Sequence, residues 1–335
     1  MTRRSWALFA AMCVIWGVPY LLIRVAVRDF SPGTLVFART ALGALVLLPF
    51  AFARGGLRPV LARWRPLLAF AVIELAIPWL LLSDAERALS SSLSGLLVAA
   101  VPLVGVVVAR IAGSDDRGGG ALRYAGLLLG LVGVVLLLGL DVGQAHARAL
   151  GEMAIVVVGY AVAPVIMARR LSDLPSIPVV TVALSVTALG YLPYAVTHWP
   201  AHVTAKVAWS VVTLGLVCTA LAFVLFFALI AAIGPARATV ITYVNPAVAV
   251  LLGVVLLGEN FSLGIAIGFP LILLGSVLAA RTGHGGEPAV ADAAVPEGAI
   301  AQSTETSPDG VANTAASTPV SSAGVVQCTS MPSSG

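Results

Sequence analysis

Apolar residues in this chain come in long runs, not in alternation, and the polar residues sit between the runs. A membrane-crossing helix needs about 20 consecutive, mostly apolar residues. Ten stretches meet that requirement: 6–26, 31–53, 66–84, 91–111, 121–140, 151–169, 177–197, 208–230, 235–257 and 262–281. The segments DFSPG, ARGGLRP, GSDDRGGG, RRLSDLPSIP and GEN fall between them and carry turn formers and charges. The pattern predicts an all-α polytopic membrane protein of ten helices. The first run follows Arg3 and Arg4, as a signal peptide would, but it is longer than a usual signal core and no small-x-small cleavage site follows. It reads as a retained first helix.

Composition agrees. Hydrophobic types make up 59% of the chain and charged types 10%, against about 25% charged in a soluble domain. The net charge of +4 hides an asymmetry. From residue 282 onward there is no base, and there are five acids: Glu287, Asp292, Glu297, Glu305 and Asp309. This tail, 282–335, is rich in Ala, Ser, Thr, Pro and Gly and is expected to be disordered. The excess of base before it lies scattered through short loops, which is membrane topology and not a nucleic-acid footprint. With the N-terminus inside, thirteen arginines fall on the inner side: Arg3, Arg4, Arg54, Arg58, Arg63, Arg65, Arg110, Arg117, Arg123, Arg169, Arg170, Arg237 and Arg281. Only Arg28, Arg87, Arg148 and Lys206 fall outside. Both termini are therefore expected in the cytoplasm of a cell whose Arg-over-Lys bias suggests a GC-rich bacterium. Cys13, Cys218 and Cys328 are far apart, so neither a disulfide framework nor a zinc site is expected.

The two halves of the chain resemble each other. A shift of 144 lays SSSLSGLLVAAVP (90–102) on GPARATVITYVNP (234–246), Pro102 on Pro246, and Asp115 on Glu259. A shift of 145 lays PYLLIR (19–24) on PVIMAR (164–169), and one of 142 lays Gly126 and Gly133 on Gly268 and Gly275. Each half holds five spans, an odd number, so the second half must sit inverted in the membrane. Inverted repeats are a transporter signature, with the substrate site between the halves near the midplane.

WGVPYLLIR, SPGTLVFAR, SSSLSGLLVAAVPL and the long block CTALAFVLFFALIAAIGPARATVITYVNPAVAVLLGVVLLGEN carry a family resemblance. Over roughly residues 5–281 the chain resembles the drug/metabolite transporter superfamily, in its EamA-like branch. The resemblance implies ten helices in two inverted five-helix repeats, residues 1–140 and 141–281, around a central cavity. It also implies movement of small metabolites, usually outward, across a bacterial plasma membrane.

Several residues could carry the work. Glu74 lies about eight residues into its run, roughly 12 Å from the end at 1.5 Å per residue. An acid there costs about 2.5–3.5 kcal/mol by insertion scales. It is either a proton-coupling or substrate-cation site, or a structural acid locked to an arginine or to backbone. Arg39 is too deep to snorkel, unlike Arg24, and Glu74 is the only mid-span acid available to it. Pro102 and Pro246 are expected to interrupt their helices and free the carbonyls of Val98 and Thr242. Tyr243 and Asn245 add polar groups beside Pro246, as a cavity wall or a packing kink. Trp16 and Trp79 are cavity or packing aromatics. The paired glycines read as close helix contacts. The HWPAH loop, 198–202, spaces two histidines by four, but Pro200 argues against a helical metal site.

An intramembrane enzyme would need a catalytic dyad or metal motif at depth, yet all four histidines lie outside the runs. No G-x-x-x-x-G-K-[ST] occurs, so energy would come from a gradient, of protons by expectation, with no cofactor. A membrane scaffold or receptor is the remaining alternative. The expected partners are a small polar substrate and the lipid bilayer; the assembly is open between monomer and homodimer. The topology is testable by cysteine labelling in a background lacking the native cysteines. Cysteines in the 198–206 loop should react with an impermeant maleimide on intact cells, and those in the 54–65 loop only after permeabilisation. The reverse pattern overturns the orientation.

Overall fold

The computed structural model describes residues 2–113, 120–141, 147–234, 238 and 240–280. The described residues are helical throughout, without strands. In chain order the helices are α1 Arg3–Ala26, α2 Pro32–Ala53, α3 Arg58–Ala62, α4 Trp64–Phe70, α5 Ile77–Ala85, α6 Ser91–Val98 and α7 Val101–Ile111. The second half follows as α8 Gly120–Asp141, α9 Ala147–Ile166, α10 Ser176–Thr197, α11 Ala205–Gly215, α12 Ala222–Ile233, α13 Ile241–Leu257 and α14 Leu263–Ala280. Three π-helical stretches continue or join them: Ala71–Ala76 between α4 and α5, Met167–Leu171 after α9, and Leu216–Leu221 between α11 and α12.

Seven helical stretches are long and apolar enough to cross a membrane: Arg3–Ala26, Pro32–Ala53, Trp64–Ala85, Ser91–Ile111, Ala147–Leu171, Ser176–Thr197 and Ala205–Ile233. Three shorter apolar helices, Tyr124–Leu137, Ile241–Leu257 and Leu263–Ala279, complete the set. The run expected at 235–257 begins as a helix only at Ile241, so α13 has 17 residues. The pairing of Asp115 with Glu259 and the tail 282–335 lie outside the described residues. Outward-facing apolar side chains such as Leu45, Leu128, Val135 and Val255 are well exposed, as a lipid-facing belt requires. Trp6, Trp64, Trp199 and Trp209 are also exposed, near helix ends where indoles favour the interface.

Polar contacts sort the connections into two ends. At one end Thr204 N donates to Asp29 at 2.9 Å, Thr34 to the His198 carbonyl at 3.2 Å, and Arg148 to Asp84 at 2.6 Å. At the other, Arg63 pairs with Asp173 at 2.6 Å and Arg169 donates to the Ala112 carbonyl. Alternating crossings demand this sorting.

Within the bundle, small residues set the closest contacts. A methyl added at Gly126 would lie 2.5 Å from the Ala279 nitrogen, and one at Gly133 would lie 2.8 Å from the Gly268 carbonyl oxygen. The partner numbers fall along α14 as they rise along α8, so the two helices run antiparallel. Lipid gives apolar helices no hydrophobic reason to associate, so tight backbone approach supplies the attraction.

One contact joins the halves at the Asp29 end. Helix α13 stops at Gly258, which adopts φ 68°, ψ 27°, a left-handed cap that glycine takes without strain. The turn brings Glu259 N to the Gly253 carbonyl at 3.1 Å. The Glu259 carboxylate then accepts from Ser91 N at 2.7 Å, Ser92 N at 2.9 Å and Ser92 Oγ at 2.5 Å. It thereby satisfies the free donors at the start of α6. Burial pushes this carboxyl up, but the Ser92 and Ser91 bonds outweigh that, and the net result lies below its ordinary value of 4.5.

A depressed carboxyl stabilises the fold above its unfolded pKa, and that contribution is lost as pH falls through the folded value. Replacing Glu259 with Gln removes a charge-assisted acceptor and should cost about 2 kcal/mol. Thermal melting of the purified protein should therefore show a lower midpoint for Glu259→Gln at neutral pH, and a smaller further loss than wild type on acidification below 4.5. Parallel pH profiles for the two proteins would show that the contact contributes nothing.

Candidate functional site

The deepest polar groups gather around the two mid-helix π stretches. A π turn widens the helix by one residue, leaves carbonyls in search of donors and often marks a functional position. The first stretch, Ala71–Ala76, carries Glu74; the second, Leu216–Leu221, carries Cys218 and Thr219. Glu74 and Cys218 are 144 residues apart, the spacing at which the halves align. The two helical hairpins therefore distort at matching places, with an acid in one half and a thiol in the other.

Neighbours hold the first stretch in shape. Tyr191 of α10 donates its hydroxyl to the Ala76 carbonyl at 3.0 Å. Gly159 of α9 lies against the Ile73 carbonyl, where an added methyl would come within 2.6 Å of the oxygen. In the second stretch Thr219 Oγ1 donates to the Leu214 carbonyl, five residues back, at 2.8 Å.

Arg39 of α2 is 4% exposed. Its guanidinium carbon sits 3.5 Å above the centroid of the Trp79 ring of α5. Nη2 lies 3.4 Å from Thr219 Oγ1, and Nε has no partner. Glu74 and Arg39 form no ion pair; Glu74 is half-buried, with Oε2 enclosed and unpartnered. Elimination in the sequence made Glu74 the candidate partner of Arg39 and left open whether the two pair. The structure instead gives the arginine an aromatic face and a hydroxyl, and leaves the acid apart. Tyr160, next to Gly159, lies within electrostatic reach of Glu74, Arg39 and Glu86, and its phenol meets Trp79.

The remaining candidates line a different part of the bundle. Trp16 of α1 is half-buried and packs on Phe226 of α12 at 4.6 Å between ring centroids, and on Phe223 at 6.2 Å. Asn245 of α13 is buried, and with its amide turned to donate it reaches the Ile241 carbonyl at 3.0 Å and the Cys13 carbonyl at 3.1 Å. It thus bridges α13 to α1. Tyr243 is half-buried on the same helix. Near Pro102 the helix divides, α6 ending at Val98 and α7 beginning at Val101, whereas Pro246 lies inside the continuous helix α13.

Thr219, Tyr160 and Glu86 were passed over in the sequence. Tyr160 follows Gly159 directly in the sequence, and an aromatic beside a mid-helix glycine was the available signal. Glu86 falls just past an apolar run and reads as a loop acid, yet it is fully buried.

A planar fork over an aromatic ring is not a geometry lysine can copy. Arg39→Lys should therefore lower stability by about 2 kcal/mol, the scale of a desolvated cation–π contact. In melting experiments its effect should be non-additive with Trp79→Phe and additive with Glu74→Gln. Coupling to Glu74 and not to Trp79 would contradict the observed pairing.

Known proteins resemble this chain over most of its length. A family model described as the EamA-like transporter family matches twice, over residues 4–139 and 150–281. The uncharacterized inner membrane transporter YedA of Escherichia coli (strain K12) is 32% identical over 267 residues, covering 76% of this chain and 83% of its own. The uncharacterized transporter YdfC of Bacillus subtilis (strain 168) is 24% identical over 253 residues, covering 74% and 81% respectively. A solved crystal structure shares the fold with a TM-score of 0.59 at 22% identity, over 84% of this chain and 98% of that one.

Proposed function

The chain belongs to the EamA-like transporter family, and on that premise we propose that it is a proton-coupled secondary transporter. It exports small polar metabolites, amino acids or drugs across the bacterial plasma membrane by alternating access. Ten crossings form two inverted five-helix repeats, 1–140 and 141–281, with a cytoplasmic tail at 282–335 and both termini inside. The matched π turns and the antiparallel α8–α14 contact support the inverted arrangement. One acid and one deep arginine beside the Trp79 ring suit a zwitterionic or cationic substrate, with Trp16, Tyr243 and Asn245 as a second group of candidates in another part of the bundle. They form no cluster of bases for a phosphorylated one.

The observation that carries the coupling is Glu74. It sits midway along its helix, enclosed, and without the arginine that would hold it ionised. An acid without a fixed partner can take up or release a proton as water or substrate reaches it. Its proton can therefore be exchanged for access to one side of the membrane and then the other.

The substrate class is found first, by a thermal-shift screen of amino acids and cationic drugs on the purified protein. Counterflow of the labelled hit in proteoliposomes then tests coupling. Glu74→Gln should retain substrate exchange and lose dependence on the pH gradient. A variant that keeps the wild-type pH profile removes the coupling role from Glu74.

A further inference from the structure

Glu86 follows α5 directly and is 0% exposed. Neither of its carboxyl oxygens has a hydrogen-bond partner. Its backbone carbonyl is the atom that accepts from Arg24 Nη1, so the nearest base is engaged away from the acid. The groups facing it are Tyr20 and Arg24 from α1, Arg39 from α2, Tyr160 from α9 and Glu259 from the loop before α14. Glu259 is bound to Ser91 and Ser92, and Arg39 lies on Trp79. No facing group donates to the Glu86 carboxyl, and a buried carboxylate without donors is far costlier than a buried carboxylic acid.

The same corner holds a cavity of about 310 Å³ lined by Arg24, Val27, Arg28 and Arg87. Liquid water occupies about 30 Å³ per molecule, so this is room for several. Two of the lining residues adjoin Glu86: Arg87 is its chain neighbour and Arg24 holds its carbonyl. The buried acid is therefore one side chain away from a polar cavity at the end of the bundle. Arg24, which lines that cavity, is within electrostatic reach of the Glu86 carboxyl and would favour the carboxylate once its proton left.

We propose that Glu86 is a second proton-binding site, occupied in this conformation, that exchanges its proton with water in the arginine-lined cavity. In each exchange one carboxylic acid becomes one carboxylate, and the proton passes to or from water. Tyr160, within reach of both Glu86 and Glu74, is the ionisable side chain shared by the two acids. What the proton is used for rests on the transporter reading; whether Glu86 holds one does not.

Infrared spectroscopy of the purified full chain in lipid vesicles reads the proton directly. At neutral pH the protonated-carboxyl carbonyl band should lose a component in Glu86→Gln, move that component in Glu86→Asp, and keep it in Glu74→Gln. Transfer to deuterium oxide should shift it without unfolding the protein. Identical spectra for wild type and Glu86→Gln would mean the acid is ionised and would overturn the proposal, and a component that resists deuterium exchange would sever Glu86 from the cavity. If Glu86→Gln does not fold, a band that fails to move in Glu86→Asp overturns it equally. Loss of pH-driven counterflow in neither Glu74→Gln nor Glu86→Gln would count against the transport reading while leaving the infrared result intact.

Discussion

A guanidinium buried among apolar helices has little water to solvate it, and Arg39, 4% exposed, sits there without an acid. Much of the bundle is arranged around that constraint. Its charge is spread over the Trp79 ring and one hydroxyl, that of Thr219. Trp79 must come from α5 and Thr219 from the stretch between α11 and α12, so α2 has to lie between two other elements at close range. Gly43 and Gly215 make this feasible, because a methyl at the first would meet the Thr219 side chain and one at the second would meet Leu42. The solvation of one side chain thus fixes the separation of three helices.

Close approach recurs wherever the bundle carries polar chemistry. Gly159 lets α9 touch the π turn that bears Glu74, and this places Tyr160 beside the acid. Gly17 lets α1 meet α13, where Asn245 reaches across to the Cys13 carbonyl. In lipid a backbone carbonyl without a donor costs several kcal/mol. Irregular turns therefore survive only where a neighbour can supply a hydrogen bond, as Tyr191 does for Ala76.

Most of the helices were legible in the sequence because membrane thickness dictates run length. Position along the helix was legible too: Glu74 and Arg39 lie well inside their helical stretches, as counting put them. Their partners were not. Opposite charge suggested a pair, but the contact depends on the register of α2 against α5, which no local pattern encodes. The π turns leave no compositional mark. Glu86 was passed over because the apolar run stops just before it. Its burial comes from the fold of the loop over α1, a tertiary effect. Pro246 shows the same limit, since neighbouring helices decide whether a proline ends a helix.

Magnitudes bear on whether one acid can drive a transporter. Moving a two-state equilibrium from 1:99 to 99:1 takes about 5.5 kcal/mol of differential stabilisation. Inserting a single acid at mid-membrane costs about 2.5–3.5 kcal/mol by insertion scales, which bounds what relieving that cost in one conformation can supply. Glu74 alone would bias such an equilibrium without committing it. The matched π turns offer no second acid, because Cys218 stands where the symmetry would put one. Glu86, buried and unpaired within reach of the same tyrosine, has the chemistry to contribute a comparable amount. On the proposed reading, two acids at different depths in one half of a symmetric scaffold reach the required scale together. The proton gradient then sets the direction of the cycle, and the asymmetry between halves places both proton sites in one of them.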